Sequence, residues 1–214
     1  INDTLECPYY IESIPASNVI IIDPKRVGEA SDEEMIFIHQ LIRLLSGNIN
    51  ELNDGIIEQI LSKLYPKEDF YSFLDEKTVA SLLESIFSEE ELLNSLFDNN
   101  YNLEILANQK LNSKDFIKLL KEKMAANSED IRYADSEEPL SSLVNIITFI
   151  FDAYINGNNV SINDLEVFVQ IVKEWRTEIM TDEEKYPEND IYPGVENILE
   201  YMNTKIEEKI KLQL

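Results

Sequence analysis

Catalysis needs nucleophiles, bases and ligands, and this sequence is sparing with them. His39 is the only histidine and Cys7 the only cysteine among 214 residues. One of each cannot build the nitrogen and sulfur ligand sets of zinc sites. A Cys–His nucleophilic pair would require Cys7, beside Pro8 in an irregular stretch, to reach His39 and find a third, orienting group. His39 follows Met35 by four residues, at the margin of an apolar helical face, which predicts a hydrogen-bonded, half-buried imidazole. Neither G-x-G-x-x-G nor G-x-x-x-x-G-K-[ST] occurs, so phosphate-cradling loops are absent from the sequence. A G-x-S-x-G nucleophile elbow is missing too.

Carboxylates are plentiful, at 42 Asp and Glu, and plenty means that spacing alone singles out no acid/base pair. Productive pairs are tuned by burial. The most apolar helix of the sequence offers only Asp152, expected at the edge of a polar stripe, capping a neighbour or facing water. These residues support no catalytic, cofactor-binding or metal-binding assignment, and the expectation is a protein that is not an enzyme.

Taken together, the acids suggest binding. The net charge is −24, which opposes direct contact with nucleic acid or an anionic membrane, since phosphate contacts need surplus Lys and Arg. It favours a cationic partner, such as a basic segment of another protein. No Lys or Arg occurs from Thr78 to Gln109 or from Tyr133 to Val172. The residues expected to meet such a partner are Glu89, Glu90, Glu91, Asp98, Asp135, Glu137, Glu138, Asp182, Glu183 and Glu184, with Tyr186 and Tyr192 among the last group. The same acids read equally as a solvated face that keeps the chain soluble.

Three functions are carried forward. The first is a protein–protein interaction module, an adaptor or regulatory subunit. The second is an acidic inhibitor, of the immunity or anti-defence kind, that imitates nucleic-acid charge to block a basic enzyme. The third is a helical enzyme using carboxylates. A lone cysteine permits no intrachain disulfide, which points to an intracellular setting, cytoplasmic or nuclear in a eukaryote. No cationic segment leads into a short apolar run, so no secretory signal is read. No uninterrupted apolar run approaches the ~20 residues that cross a bilayer. The chain begins at Ile1 rather than Met, which reads as a piece of something longer. No feature specifies an oligomeric state.

Helices must position these residues. Few glycines and prolines, five and seven, with 44% hydrophobic content, predict an all-α fold with a true core. An irregular bundle or repeat-like array of about nine to ten helices is expected. Its centre is Leu140 to Ile155, where Ser141, Asn145, Thr148 and Asp152 form one narrow polar stripe on an otherwise apolar helix. Four segments are expected: an extended arm over 1–30, a helical subdomain over 31–126, a polar connecting loop over 127–138, and a second helical subdomain over 139–214 packed on the first as one compact unit.

Within the arm, Val19 to Ile22 reads as one strand with no partner of comparable quality. Ser31 with Glu34 predicts a capping box, and Met35, Ile38, Ile42 and Leu45 the face that follows, closed by Gly47. Helices follow over about 53–65, 67–74, 77–87, 89–97 and 101–108, then from Ser113 to Ala126. Later ones run over 161–180 and 194–212, and Asn156-Gly157 is read as a left-handed cap. Three connections resemble one another, each with an apolar residue (Ile49, Leu111, Val160) ahead of Asn or Ser. An EF-hand loop needs oxygen ligands at its first, third and fifth places. Those places fall on Ala153, Ile155 and Gly157 when Val160 is eighth, so simple helix capping is the preferred reading.

Overall fold

A computed structural model describes residues 11–14, 19–22, 33–46, 50–65, 74–98, 102–133, 138–181 and 193–213. The protein is all-helical in class, with nine helices among the described residues and one short two-stranded ribbon. The chain divides into two compact units, Ile1–Lys77 and Thr78–Leu214. No helix among the described residues is long and apolar enough to cross a membrane.

In the first unit, β1 (Ile11–Ile14) pairs antiparallel with β2 (Val19–Ile22), Ile11 opposite Ile22 and Ile14 opposite Val19. The strand read as solitary therefore has a partner. Ile-Glu-Ser-Ile is too short and too polar in its middle to announce itself, and it is recognisable mainly by what it pairs with. Both strands pack on α1 (Glu33–Ser46), which in turn packs on α2 (Glu51–Leu64). Asn50 caps α2 by accepting from the Asn53 N–H at 3.1 Å. Gly55 permits a close approach. A Cβ there would lie 2.2 Å from the Glu76 carbonyl oxygen at the start of α3 (Leu74–Glu84). The expected Ser31 cap, the Gly47 stop and all of the short helix expected over about 67–74 except Leu74, which opens α3, lie outside the described residues.

In the second unit the chain continues through α4 (Glu89–Phe97), α5 (Leu103–Leu111), α6 (Phe116–Tyr133), α7 (Glu138–Ile155), α8 (Ile162–Thr181) and α9 (Pro193–Gln213). Serine caps begin two of them. Ser88 accepts from Glu91 N–H while Glu91 accepts from Ser88 N–H at 2.7 Å. Ser161 and Asp164 exchange the same pair of bonds at 3.2 and 2.9 Å. Each box satisfies two backbone donors that a helix start leaves orphaned. Pro193 opens α9 at the first position, where its missing N–H costs nothing. α6 runs on to Tyr133, into the interval read as a loop, because Asn127 to Tyr133 holds neither Gly nor Pro to stop it.

α7 is the centre, as its apolar circumference requires. Leu143, Val144, Ile146, Ile147, Ile150, Phe151, Tyr154 and Ile155 are all buried, with α6, α8 and α9 packed around them. Phe149 stacks on Phe116 of α6 at 5.3 Å between centroids. Phe151 meets Phe168 of α8 at 5.6 Å and Tyr201 of α9 at 6.4 Å. The Tyr154 hydroxyl donates to the Ser85 carbonyl at 2.7 Å, tying in the α3–α4 junction.

The connections after α5 and α7 meet one another. Asn158 donates its backbone N–H to the Lys110 carbonyl and its side-chain amide to the Gln109 carbonyl, both at 2.7 Å. The left-handed residue after α7 is Asn159, with φ of 61°, not the expected Asn156-Gly157 pair. Gly157 is needed for space instead. A Cβ on it would lie 2.8 Å from the Lys110 carbonyl oxygen and 3.0 Å from that of Tyr154, both backbone atoms.

Two substitutions test this packing by urea unfolding followed with circular dichroism. Phe151→Ala should remove about 3–5 kcal/mol, the usual loss for a fully enclosed aromatic. Gly157→Ala should remove about 1–3 kcal/mol through forced backbone movement, and an unchanged unfolding midpoint would mean that the Lys110 and Tyr154 carbonyls do not confine this position.

Candidate functional site

The strongest concentration of perturbed ionisable groups lies in the first unit, where sequence reasoning placed none. On α1, His39 and Arg43 are one helical turn apart. On α2, Asp54 and Glu58 are likewise. The helices run antiparallel, so the pairs meet as two rungs. His39 Nε2 lies 3.1 Å from Glu58 Oε1, with both side chains at most 5% exposed. Arg43 Nε lies 2.8 Å from Asp54 Oδ1, and its Nη2 donates to Oδ2 at 3.2 Å. The Arg43 guanidinium thus engages both oxygens of Asp54. Gln40, beside His39, is buried as well, and Ser46 donates to the Arg43 carbonyl.

Burial acts on all three titratable members. It pushes the Glu58 carboxyl up to about 8, helped by the negative charge of Asp54. It raises Asp54 to about 6 against the pull of Arg43. It holds the His39 imidazole down to about 4, with the Arg43 charge adding to the effect. Glu58 Oε2 is buried with no hydrogen-bond partner among the described residues. One expectation is corrected here: His39 is buried rather than half-buried. The buried acids are Asp54 and Glu58, on a helix where sequence reasoning singled out no carboxylate.

Asp152 is half-buried and accepts from the Tyr201 hydroxyl of α9 at 2.7 Å. That contact covers part of the α7 polar stripe, while Asn145 stays exposed. With Tyr201, Asp152 lines an open cleft of about 580 Å³ at the C-terminal end of α7. Lys205, Glu208 and Lys209 line it from α9, and Lys209 donates to the Ile155 carbonyl. Two lysines against two carboxylates leave the cleft without a dominant sign. No group of three His, Cys, Asp or Glu side chains suited to a metal ion occurs among the described residues.

The expected partner-binding residues scatter. Glu89 and Glu90 are exposed in the first turn of α4, and Asp98 is exposed at its end. Glu91 is engaged internally, closing the cap and pairing with Lys110 at 2.8 Å. Partial burial works against its charge, yet hydrogen bonds from Lys110 and the Ser88 N–H hold its carboxyl below the usual range. Glu138 opens α7. Asp135, Glu137, Asp182, Glu183, Glu184, Tyr186 and Tyr192 lie outside the described residues.

A better-defined acidic surface is the outward side of α8, whose inner side buries Leu165, Phe168, Val172, Trp175 and Ile179. Outward stand Asp164, Glu166, Glu174 and Glu178, with Lys173 the exposed cation among them. Val167 is 56% exposed between them. Glu174 and Glu178 follow the lysine that ends the basic-free interval, which is why counting charge-free stretches missed them. Comparison with protein-family models, characterised proteins and solved structures finds no match to this chain.

The ladder predicts an asymmetry between ion pairs. Arg43→Ala strands the buried Asp54 and should cost about 3–5 kcal/mol in urea unfolding. Lys118→Ala, at the exposed pair with Glu122, should leave stability unchanged within measurement. Equal effects would mean that the ladder is no more consequential than a surface pair.

Proposed function

We propose that the chain is a protein-binding module, adaptor or regulatory in kind, that engages a basic segment of a partner through the acidic surface of its second unit. The observation that carries this reading is α8. Five large buried side chains fix one side of this helix, so its outward carboxylates are held in a stable array rather than on a mobile segment. Four exposed acids face one exposed lysine there, and the exposed Val167 adds an apolar contact. Such a surface produces a negative field that steers cationic partners and weakens with salt.

The reading as a non-enzyme draws support from where the perturbed groups sit. Glu58 and His39, two of the groups with displaced proton affinities, are enclosed with side chains at most 5% exposed, and catalysis requires contact between such groups and a substrate. Tyr201, pushed up to about 12, is the displaced group that lines the open cleft. The open cleft beside α7 has no histidine or cysteine in its lining.

The test is affinity capture from a native lysate at low and high salt, with wild type beside Glu166→Gln/Glu174→Gln/Glu178→Gln. The expected outcome is a partner recovered at low salt, weakened at least tenfold in the triple variant and largely lost at high salt. Retention at high salt by wild type and variant alike would favour an apolar groove. Competition of the captured partner with nucleic acid would favour the inhibitor that imitates phosphate charge. Recovery of no partner at either salt would sink the binding reading.

A further inference from the structure

We propose that the His39–Glu58 rung is a proton-operated latch on the α1–α2 hairpin, holding the two helices together while the pair keeps one proton and releasing them when that proton is lost. This device is independent of the partner reading, since it lies in the first unit and uses none of the α8 acids.

The geometry allows the rung one proton. Arg43 is committed to Asp54 through two nitrogens, so the nearest fixed cation is taken. Glu58 Oε1 meets His39, and Oε2 has no hydrogen-bond partner among the described residues. A neutral carboxyl can stand there. A carboxylate would be a buried charge without the hydrogen bonds that make burial tolerable. Whether the single proton rides on Glu58 or on His39, the pair as a whole is neutral. A second proton would put an imidazolium one turn from Arg43, and removal of the first leaves two carboxylates one turn apart on α2.

Other charged groups bear on Glu58 and its rung. α2 contributes Asp54, with Glu51 acting on Asp54 in turn, and α3 contributes Glu76 and Lys77. Lys77 favours the carboxylate, while Glu76 and Asp54 oppose it. α1 contributes Arg43 beside His39. The ribbon packed on α1 carries one titratable residue within its strands, Glu12.

The direction of the effect follows from which state binds the proton. Glu58 has an ordinary value of 4.5 and about 8 in the closed hairpin. Its contribution is fully present below 4.5 and is lost as pH climbs to about 8. Asp54 acts in the same sense, between 3.8 and about 6. His39 acts oppositely, losing its contribution as pH falls from 6.5 to about 4. Between pH 6.5 and 8, Glu58 is the member of the three still titrating. One proton released on opening raises the opening equilibrium about tenfold per pH unit in that window.

The sole histidine makes the latch observable in the whole chain. We would follow the His39 ring signals and backbone amide exchange by nuclear magnetic resonance from pH 6.5 to 8.5. The expected result is a ring inflection near pH 8 and none near 6.5. Exchange protection in α1 and α2, corrected for the intrinsic rate, should fall about tenfold per pH unit below pH 8 and level off above it, while α7 is unchanged. Glu58→Gln should flatten that dependence. A ring that titrates near 6.5, or a pH dependence that persists in the variant, would overturn the latch. Should the variant not fold, the wild-type ring signal decides alone, its inflection near 8 supporting the proposal and its absence overturning it.

Discussion

A helix that is apolar around most of its circumference has to be covered on most sides, and in the second unit that constraint places nearly everything else. α7 draws α6, α8 and α9 onto itself through Phe116, Phe168 and Tyr201. The Tyr154 hydroxyl fixes the α3–α4 junction. Hydrophobic burial is non-directional, so it explains why these helices gather but not their register. Directional contacts at the helix ends supply that. Lys110 is the clearest case: its ammonium reaches the Ile86 carbonyl and Glu91, and its carbonyl accepts from Asn158. One side chain and one carbonyl thereby join four separate segments.

The first unit solves the same problem with charge. Replacing both members of a buried ion pair by apolar residues is often neutral or stabilising, whereas removing one member is costly. The His39–Glu58 and Arg43–Asp54 rungs are therefore better understood through the arrangements they penalise. A slip of one turn between α1 and α2 would set Arg43 against Glu58 and leave Asp54 without a cation. A slip by a single residue would bury charges against whatever lay opposite. Gly55, pressed against the Glu76 carbonyl, restrains α2 from another direction. The hairpin is specified by what its alternatives would leave unpaired.

How much of this was legible in the sequence depended on whether the signal was local. The α7 core and both serine caps are properties of a few neighbouring residues, and periodicity or spacing reveals them. The continuation of α6 through Asn127 to Tyr133 was obscured because polarity was weighed above the absence of Gly and Pro. The ladder was the largest omission. Each half is an unremarkable i, i+4 pair, and 42 acids make such pairs common. Only the antiparallel pairing of α1 with α2 brings His39 to Glu58, and pairing is a non-local property. Gly157 illustrates the same point on a smaller scale. A glycine after a helix suggests a left-handed cap, but its actual constraint is the Lys110 carbonyl, 47 positions away in the chain.

The acidity itself is not a single property. Glu91 and Asp164 spend their charge on helix starts, where hydrogen bonds to Ser88 and Ser161 hold them ionised. Asp54 and Glu58 are enclosed, and burial drives them toward the neutral form. Glu166, Glu174 and Glu178 stand exposed on a helix anchored by its other side. Glu91 is compensated by Lys110 and the second group is shielded or protonated, so the field that a partner can feel comes from the exposed acids, Asp164 included. A net charge of −24 therefore overstates what a cationic partner would meet. The useful quantity is the exposed, uncompensated share, to which α8 contributes through Glu166, Glu174 and Glu178.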